Sequence, residues 1–157
     1  MQNQSANVAL ALYEPDIPQN LGSIMRLCAC FAMPLHIIEP CGFPLDDKRI
    51  RRAGMDYIEH VQWQRHHSWS AFEQWRLQEN RRLLLLTTKA SEPYDAHVFK
   101  DGDIILFGRE SAGAPDFVHA AADARLTIPM TSDVRSLNLA MSAAIVAGEA
   151  ARQIRSA

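Results

Sequence analysis

Two stretches of this chain carry side chains able to do chemistry at places where a site is commonly built. The first is Leu126 to Asn138: a short apolar run, Leu126 to Ile128, is stopped by Pro129, and a polar loop then carries Ser136 and Asn138 into a helix running towards the C-terminus. Polar groups held between a strand and a helix N-terminus, where N–H groups are free, are well placed to bind a ligand. The second is Gly108-Arg109-Glu110-Ser111-Ala112-Gly113, one residue off the G-x-S-x-G nucleophile elbow. Its first glycine is three residues from the serine rather than two, so a serine hydrolase using Ser111 is an alternative reading in the wrong register. Other chemistries lose their usual support: there is no G-x-G-x-x-G after the first apolar run, no G-x-x-x-x-G-K-[ST] and no H-E-x-x-H.

The elements that must position these groups alternate in type. Asn7 to Tyr13 reads as a buried first strand closed by Glu14-Pro15-Asp16-Ile17-Pro18, and Gln19 to Met33 as a helix with an apolar stripe of Ile24, Leu27, Cys28 and Phe31. Leu35 to Ile38 is a second strand. Asp46 to Ala53 can begin a short helix, Tyr57 to Trp63 reads as a strand, Arg65 to His67 as a turn, and Ser68 caps a helix to Gln78. Leu83 to Leu86, Asp103 to Phe107 and Leu126 to Ile128 complete the strands, with a short helix from Asp116. This order predicts one α/β domain over 1–157, a mostly parallel sheet with helices on both faces. Ligands in such sheets sit beyond the carboxyl ends of the strands, so the loops after Leu86, Phe107 and Ile128 matter most.

With 157 residues, 48% of them hydrophobic, the chain is long enough for one real core. The net charge of −2 announces no polyanion, but Lys48, Arg49, Arg51 and Arg52 form a local cluster, either a solvated helix face or a phosphate-binding patch. Three cysteines without paired C-x-x-C spacing argue against a zinc site or a disulfide framework and fit a reducing compartment. The run Val8 to Leu12 is far too short to span a membrane, so a cytoplasmic protein is expected. Ala140, Ala143, Ala144, Ala147, Gly148, Ala150 and Ala151 leave little bulk on the last helix, which suits either a close core contact or a subunit interface.

Three segments in order, Asn20-x-Gly22-x-x-x-Arg26, Phe107-Gly108-x-Glu110-x-x-Gly113-x-Pro115, and Ile128-Pro129-Met130 before Arg135-Ser136-Leu137-Asn138-Leu139, resemble the three motifs of the SPOUT-class RNA 2'-O-methyltransferases. The resemblance covers essentially the whole chain. Leu35-His36-Ile37-Ile38-Glu39-Pro40, Asp46-Asp47-Lys48-Arg49 and Leu86-Thr87-Thr88-Lys89 look most like the minimal members of that family, which act on the wobble nucleotide of tRNA, cytidine or uridine 34.

The resemblance implies a C-terminal deep trefoil knot, a homodimer through the last helix, and S-adenosylmethionine as methyl donor, leaving as S-adenosylhomocysteine, without a metal. It implies donor contacts from Leu86, Gly108, Ile128, Met130, Ser136 and Leu137, and places Arg26, Asn20, Glu110 and Asn138 in the reacting pocket. Lys48, Arg49, Arg51 and Arg52 become candidates for the anticodon stem-loop phosphates. Arg26 matches the residue proposed to assist removal of the ribose proton; a guanidinium, which donates hydrogen bonds and accepts none, is a poor base and better suited to holding a phosphate or stabilising an alkoxide. The same resemblance allows a knotted RNA-binding dimer without catalysis. Two positions depart from the pattern: Ala114 stands where many relatives have leucine, and Gly148 where close members have tyrosine.

Overall fold

The computed structural model describes residues 8–46, 48, 58–133 and 137–157. Seven parallel strands form one sheet: β1 (Ala9–Tyr13), β2 (Leu35–Ile38), β3 (Trp63–His66), β4 (Leu83–Leu86), β5 (Glu92–Pro93), β6 (Ile104–Phe107) and β7 (Ala124–Thr127). Their spatial order is β3-β2-β1-β6-β4-β7-β5. Among the described residues the α-helices are α1 (Pro18–Phe31), α2 (Trp69–Gln78), α3 (Asp116–Ala121) and α4 (Leu139–Ser156).

The central strands are apolar on both faces because both are covered. Leu10 and Leu12 of β1 and Leu84 of β4 join one core with Leu21, Ile24, Met25 and Cys28 of α1 and Ala143, Val146, Ala147 and Ala150 of α4. Ala9, Ala11, Leu83 and Leu85 belong to the opposite core with Phe72 of α2 and Val118 of α3. Alternate residues of one strand thus serve two layers, the pattern expected of a buried parallel sheet.

Several element limits differ from the sequence reading. Helix α1 starts at Pro18, whose fixed φ suits the first helical turn, and ends at Ala32 in the left-handed region (φ 54°). Its buried face is centred on Leu21, Ile24, Met25 and Cys28, so Phe31 is 41% exposed rather than part of the stripe. The third strand is Trp63–His66, not Tyr57 to Trp63; Ile58–His60 is a short 3-10 turn. What draws the supposed turn residue His66 inside is its ring, which lies 3.0 Å from His36 (Nδ1 to Nε2) and packs on Phe72 and Trp75. The segment after Leu86 holds a further short strand, Glu92–Pro93; proline is tolerated there because β5 is an edge strand. The helix expected from Asp46 to Ala53 lies largely outside the described residues.

The sheet order has one direct consequence for function. Strands β1, β6, β4 and β7 are neighbours, and their carboxyl ends are level: Leu12 and Leu86 both pair with Phe107, and Leu86 pairs with Leu126. The loops leaving all four therefore emerge side by side.

Candidate active site

Those loops enclose a cavity of about 620 Å³. Its apolar lining includes Leu86 and Phe107 from strand ends, with Ile128, Met130 and Leu137 from the segment after β7. Its polar lining includes Asn20, Glu110 and Asn138, and Lys89 and Ser111 stand exposed on their loops. Leu86, Gly108, Ile128, Met130 and Leu137, anticipated around one ligand, thus do share one space. Ser136, Arg49, Arg51 and Arg52 lie outside the described residues, and Lys48 is exposed.

Gly108 is needed for a reason other than the expected approach to a ligand. A Cβ there would stand 2.6 Å from the Gly113 carbonyl carbon and 2.7 Å from the Ala114 nitrogen. The chain turns back on itself here, with paired bonds from Arg109 N–H to Gly113 O (3.1 Å) and Gly113 N–H to Arg109 O (2.8 Å). Gly113 takes a positive φ of 67°, a conformation that glycine adopts without steric cost. The turn is pinned to the loop after β1, because Arg109 donates to the Glu14 carboxylate at 2.7 Å.

Asn20, Glu110 and Asn138 form a relay rather than independent groups. The Asn20 side-chain amide donates to Glu110 Oε2 (3.2 Å), and the Asn138 amide donates to Asn20 Oδ1 (3.1 Å). Asn138 Oδ1 in turn caps α4 by accepting from Ala140 N–H (2.9 Å) and Met141 N–H (3.4 Å). Asn20 is only 7% exposed, so this pairing also satisfies an amide that would otherwise be costly to bury.

Asp16, which the sequence did not single out, and Ser111, considered there only as a nucleophile, complete the network. Asp16 N–H donates to Glu110 Oε1 (3.0 Å), and the Ser111 hydroxyl donates to Asp16 Oδ2. The side-chain interaction with Glu110, more than any other influence, holds the Asp16 carboxyl below its ordinary range. Burial, followed by the Asp16 side chain, pushes Glu110 upwards. The one available signal was the position of Asp16 in the rigid Pro15 to Pro18 loop just ahead of Asn20.

Ser111 is not a nucleophile on an elbow. It stands exposed on the Arg109–Gly113 turn with its hydroxyl committed to a carboxylate, and among the described residues no histidine bonds to it. Arg26 does not line the cavity; it lies on the exposed face of α1. Six residues separate it from Asn20, about one and two-thirds turns, which carries it to a different side of the helix. Among the described residues no group of three or more His, Cys, Asp or Glu side chains could hold a metal ion, and no helix is long and apolar enough to cross a membrane.

A parallel α/β sheet with a ligand-sized cleft at the ends of four adjacent strands, braced by amide and carboxylate side chains, defines a class of site. The model of the SpoU rRNA Methylase family matches residues 7–148, and the chain belongs to that family. The tRNA (cytidine(34)-2'-O)-methyltransferase of Beijerinckia indica subsp. indica is 57% identical over 145 residues, covering 92% of this chain and 91% of that protein. The enzyme of the same name from Escherichia coli (strain K12) is 46% identical over 147 residues, covering 92% of each. A solved structure concerned with the 2-OH methylation of C/U34 on tRNA superposes with a TM-score of 0.91 at 39% identity, covering 98% of this chain and 99% of that one.

Proposed function

We propose that this chain is a methyltransferase that carries a methyl group from S-adenosylmethionine to the ribose 2'-hydroxyl of the wobble nucleotide of tRNA. The observation that carries the reading is the single cavity shared by Asn20, Glu110, Ile128 and Asn138, residues drawn from all three motif segments. Relatives at 57% and 46% identity that bear this activity in their names support the choice of substrate.

The residues present suit the donor. Leu86, Phe107 and Ile128 offer an apolar slot for a purine, and the backbone of the tight Gly108–Gly113 turn offers hydrogen-bonding groups at its edge. When bound, the donor supplies a methyl group on a sulfonium sulfur, whose departure as a neutral thioether calls for no Lewis acid. What the protein must add is alignment and a place for charge, because a ribose hydroxyl is barely ionised near neutrality. The Glu110–Asn20–Asn138 relay fixes the loop walls against which the sugar is held. Arg26, on the exposed face of α1 outside the cavity, serves a phosphate next to the reacting nucleotide, and Lys48, Arg49, Arg51 and Arg52 serve the anticodon stem-loop backbone.

The protein works in the cytoplasm as a homodimer, and the C-terminal part forms a trefoil knot. Support for the dimer comes from the outer face of α4, where Met141 is 60% and Ile145 38% exposed. A Cβ on Gly148 would meet nothing within 4 Å. Support for the knot comes from β7, which lies between β4 and β5 before the chain returns to the α1 face as α4. The test is to incubate purified protein with S-adenosylmethionine and unmodified tRNA and map ribose methylation. Methylation at nucleotide 34 alone is expected; no methylated ribose, or methylation of a base, would overturn the proposal.

A further inference from the structure

Resting on that proposed function, one step still needs an owner: the 2'-hydroxyl must lose its proton as its oxygen takes the methyl group. Lys89 and Arg109 line the cavity but bring hydrogen-bond donors rather than acceptors, and Arg109 is occupied by Glu14. Glu110 lines the cavity as a carboxylate. Each of its oxygens accepts one N–H, from Asp16 and from Asn20, and since a carboxylate offers about four acceptor positions, two remain for a substrate hydroxyl or a proton.

The neighbouring Asp16 supplies the second observation. Its Oδ2 accepts from Ser111, but its Oδ1 is buried with no hydrogen-bond partner. A bare buried carboxylate oxygen is costly, so a proton taken up by the Asp16–Glu110 pair lowers that cost. Two carboxyl groups this close take up one proton between them readily and two ionisations reluctantly.

We propose that the Asp16–Glu110 pair is the proton acceptor of the methyl transfer, with Glu110 taking the proton and Asp16 positioned to hold it. The O2'–H bond breaks and its proton passes to a Glu110 carboxylate oxygen. The O2'–CH₃ bond forms as the S–CH₃ bond breaks, and the sulfonium becomes a neutral thioether. The pair gains one proton and releases it to solvent before the next turnover. Among the described residues, the other charged or titratable groups around the pair include Arg109 and Glu14, which bond to each other, the Cys41 thiol, which burial pushes up to about 12 and so keeps neutral, and Lys89 and His119 on the cavity wall. Burial and Asp16 both raise Glu110, moving it towards the pH at which a base works best.

The test is single-turnover methylation of tRNA across pH by wild type, Glu110→Gln, Asp16→Asn and His119→Gln, the last because His119 also lines the cavity. Affinities for S-adenosylhomocysteine and tRNA are measured in parallel by calorimetry and filter binding. Glu110→Gln is expected to lose at least about a hundredfold in rate with both affinities held within about threefold. Asp16→Asn is expected to stay active with the acidic limb of its profile moved to lower pH, because a neighbouring negative charge has gone. His119→Gln is expected to leave that limb in place. The inference is overturned by a Glu110→Gln rate within about tenfold of wild type, by a rate loss that merely tracks lost affinity, by an unmoved limb in Asp16→Asn, or by a shifted limb in His119→Gln. Wild type inactive on tRNA would overturn the underlying function itself.

Discussion

The side-chain amide of Asn138 donates to Oδ1 of Asn20 at 3.1 Å, across 118 residues of chain. Because Asn20 also reaches Glu110 and Asn138 also caps α4, one contact ties together the start of α1, the loop after β6 and the entry to the last helix. The site is therefore set by how these elements meet rather than by any one loop.

This relay predicts energetic coupling. Asn138→Ala removes the cap and leaves Asn20 with an unmet acceptor, costing about 1–2 kcal/mol in urea unfolding. In a double-mutant cycle with Asn20→Ala, a coupling of about 0.5–1.5 kcal/mol is expected, since the two share a bond. Asn138→Asp keeps the capping oxygen but not the amide donor, so it should recover the cap and not the coupling. Purely additive losses would show that the contact does not link the motifs.

Gly108→Ala places a methyl carbon against the Gly113 and Ala114 backbone, which cannot rotate aside as a side chain would. The turn must open, at a cost of about 1–3 kcal/mol. Affinity for S-adenosylhomocysteine measured by calorimetry should fall at least about tenfold, because Gly108 and Gly113 both line the cavity. Unchanged affinity would remove this turn from the donor site.

The buried histidine pair sets a pH limit on stability. Burial, with smaller contributions from His66 and Arg81, holds His36 down at about 3. Unfolded His36 takes up a proton near about pH 6.5, so below that pH the unfolded chain binds more protons than the folded one, and stability falls with pH. The slope between about pH 6.5 and the folded value approaches about 1.4 kcal/mol per pH unit for this one group. Urea midpoints should therefore drop between about pH 7 and pH 5 in wild type and drop less in His36→Gln. Equal slopes in the two proteins would contradict the assignment.

The exposed face of α4 predicts the assembly. Replacing Met141 and Ile145 together with glutamate should give a monomer by analytical ultracentrifugation while the far-ultraviolet circular dichroism is retained, because both side chains point away from the core. A dimer that survives the change, or a wild type that is already monomeric, would move the interface elsewhere or remove it.

Much of this was legible in the residues. The apolar tetrad Leu83–Leu86, the Ser68 cap and the two prolines after β1 fix local structure strongly, and each element lies where its pattern says. The strand at Trp63–His66 was not legible, because a histidine reads as polar until a second histidine, Phe72 and Trp75 surround it. The site followed the same rule. Positions in the three segments pointed to one cavity, whereas the bond between Asn20 and Asn138, the orphaned oxygen of Asp16 and the steric reason for Gly108 arise only when distant segments meet. Arg26 was placed by its segment, and the turn of the helix sets it apart from the cavity wall.

The most direct measurement of the central claim is transfer of labelled methyl from S-adenosylmethionine to two anticodon stem-loops identical except at nucleotide 34, one carrying ribose there and the other 2'-deoxyribose. Label on the first and none on the second is the predicted result. Equal labelling of both would contradict the account, because the acceptor would then be some atom other than that sugar oxygen.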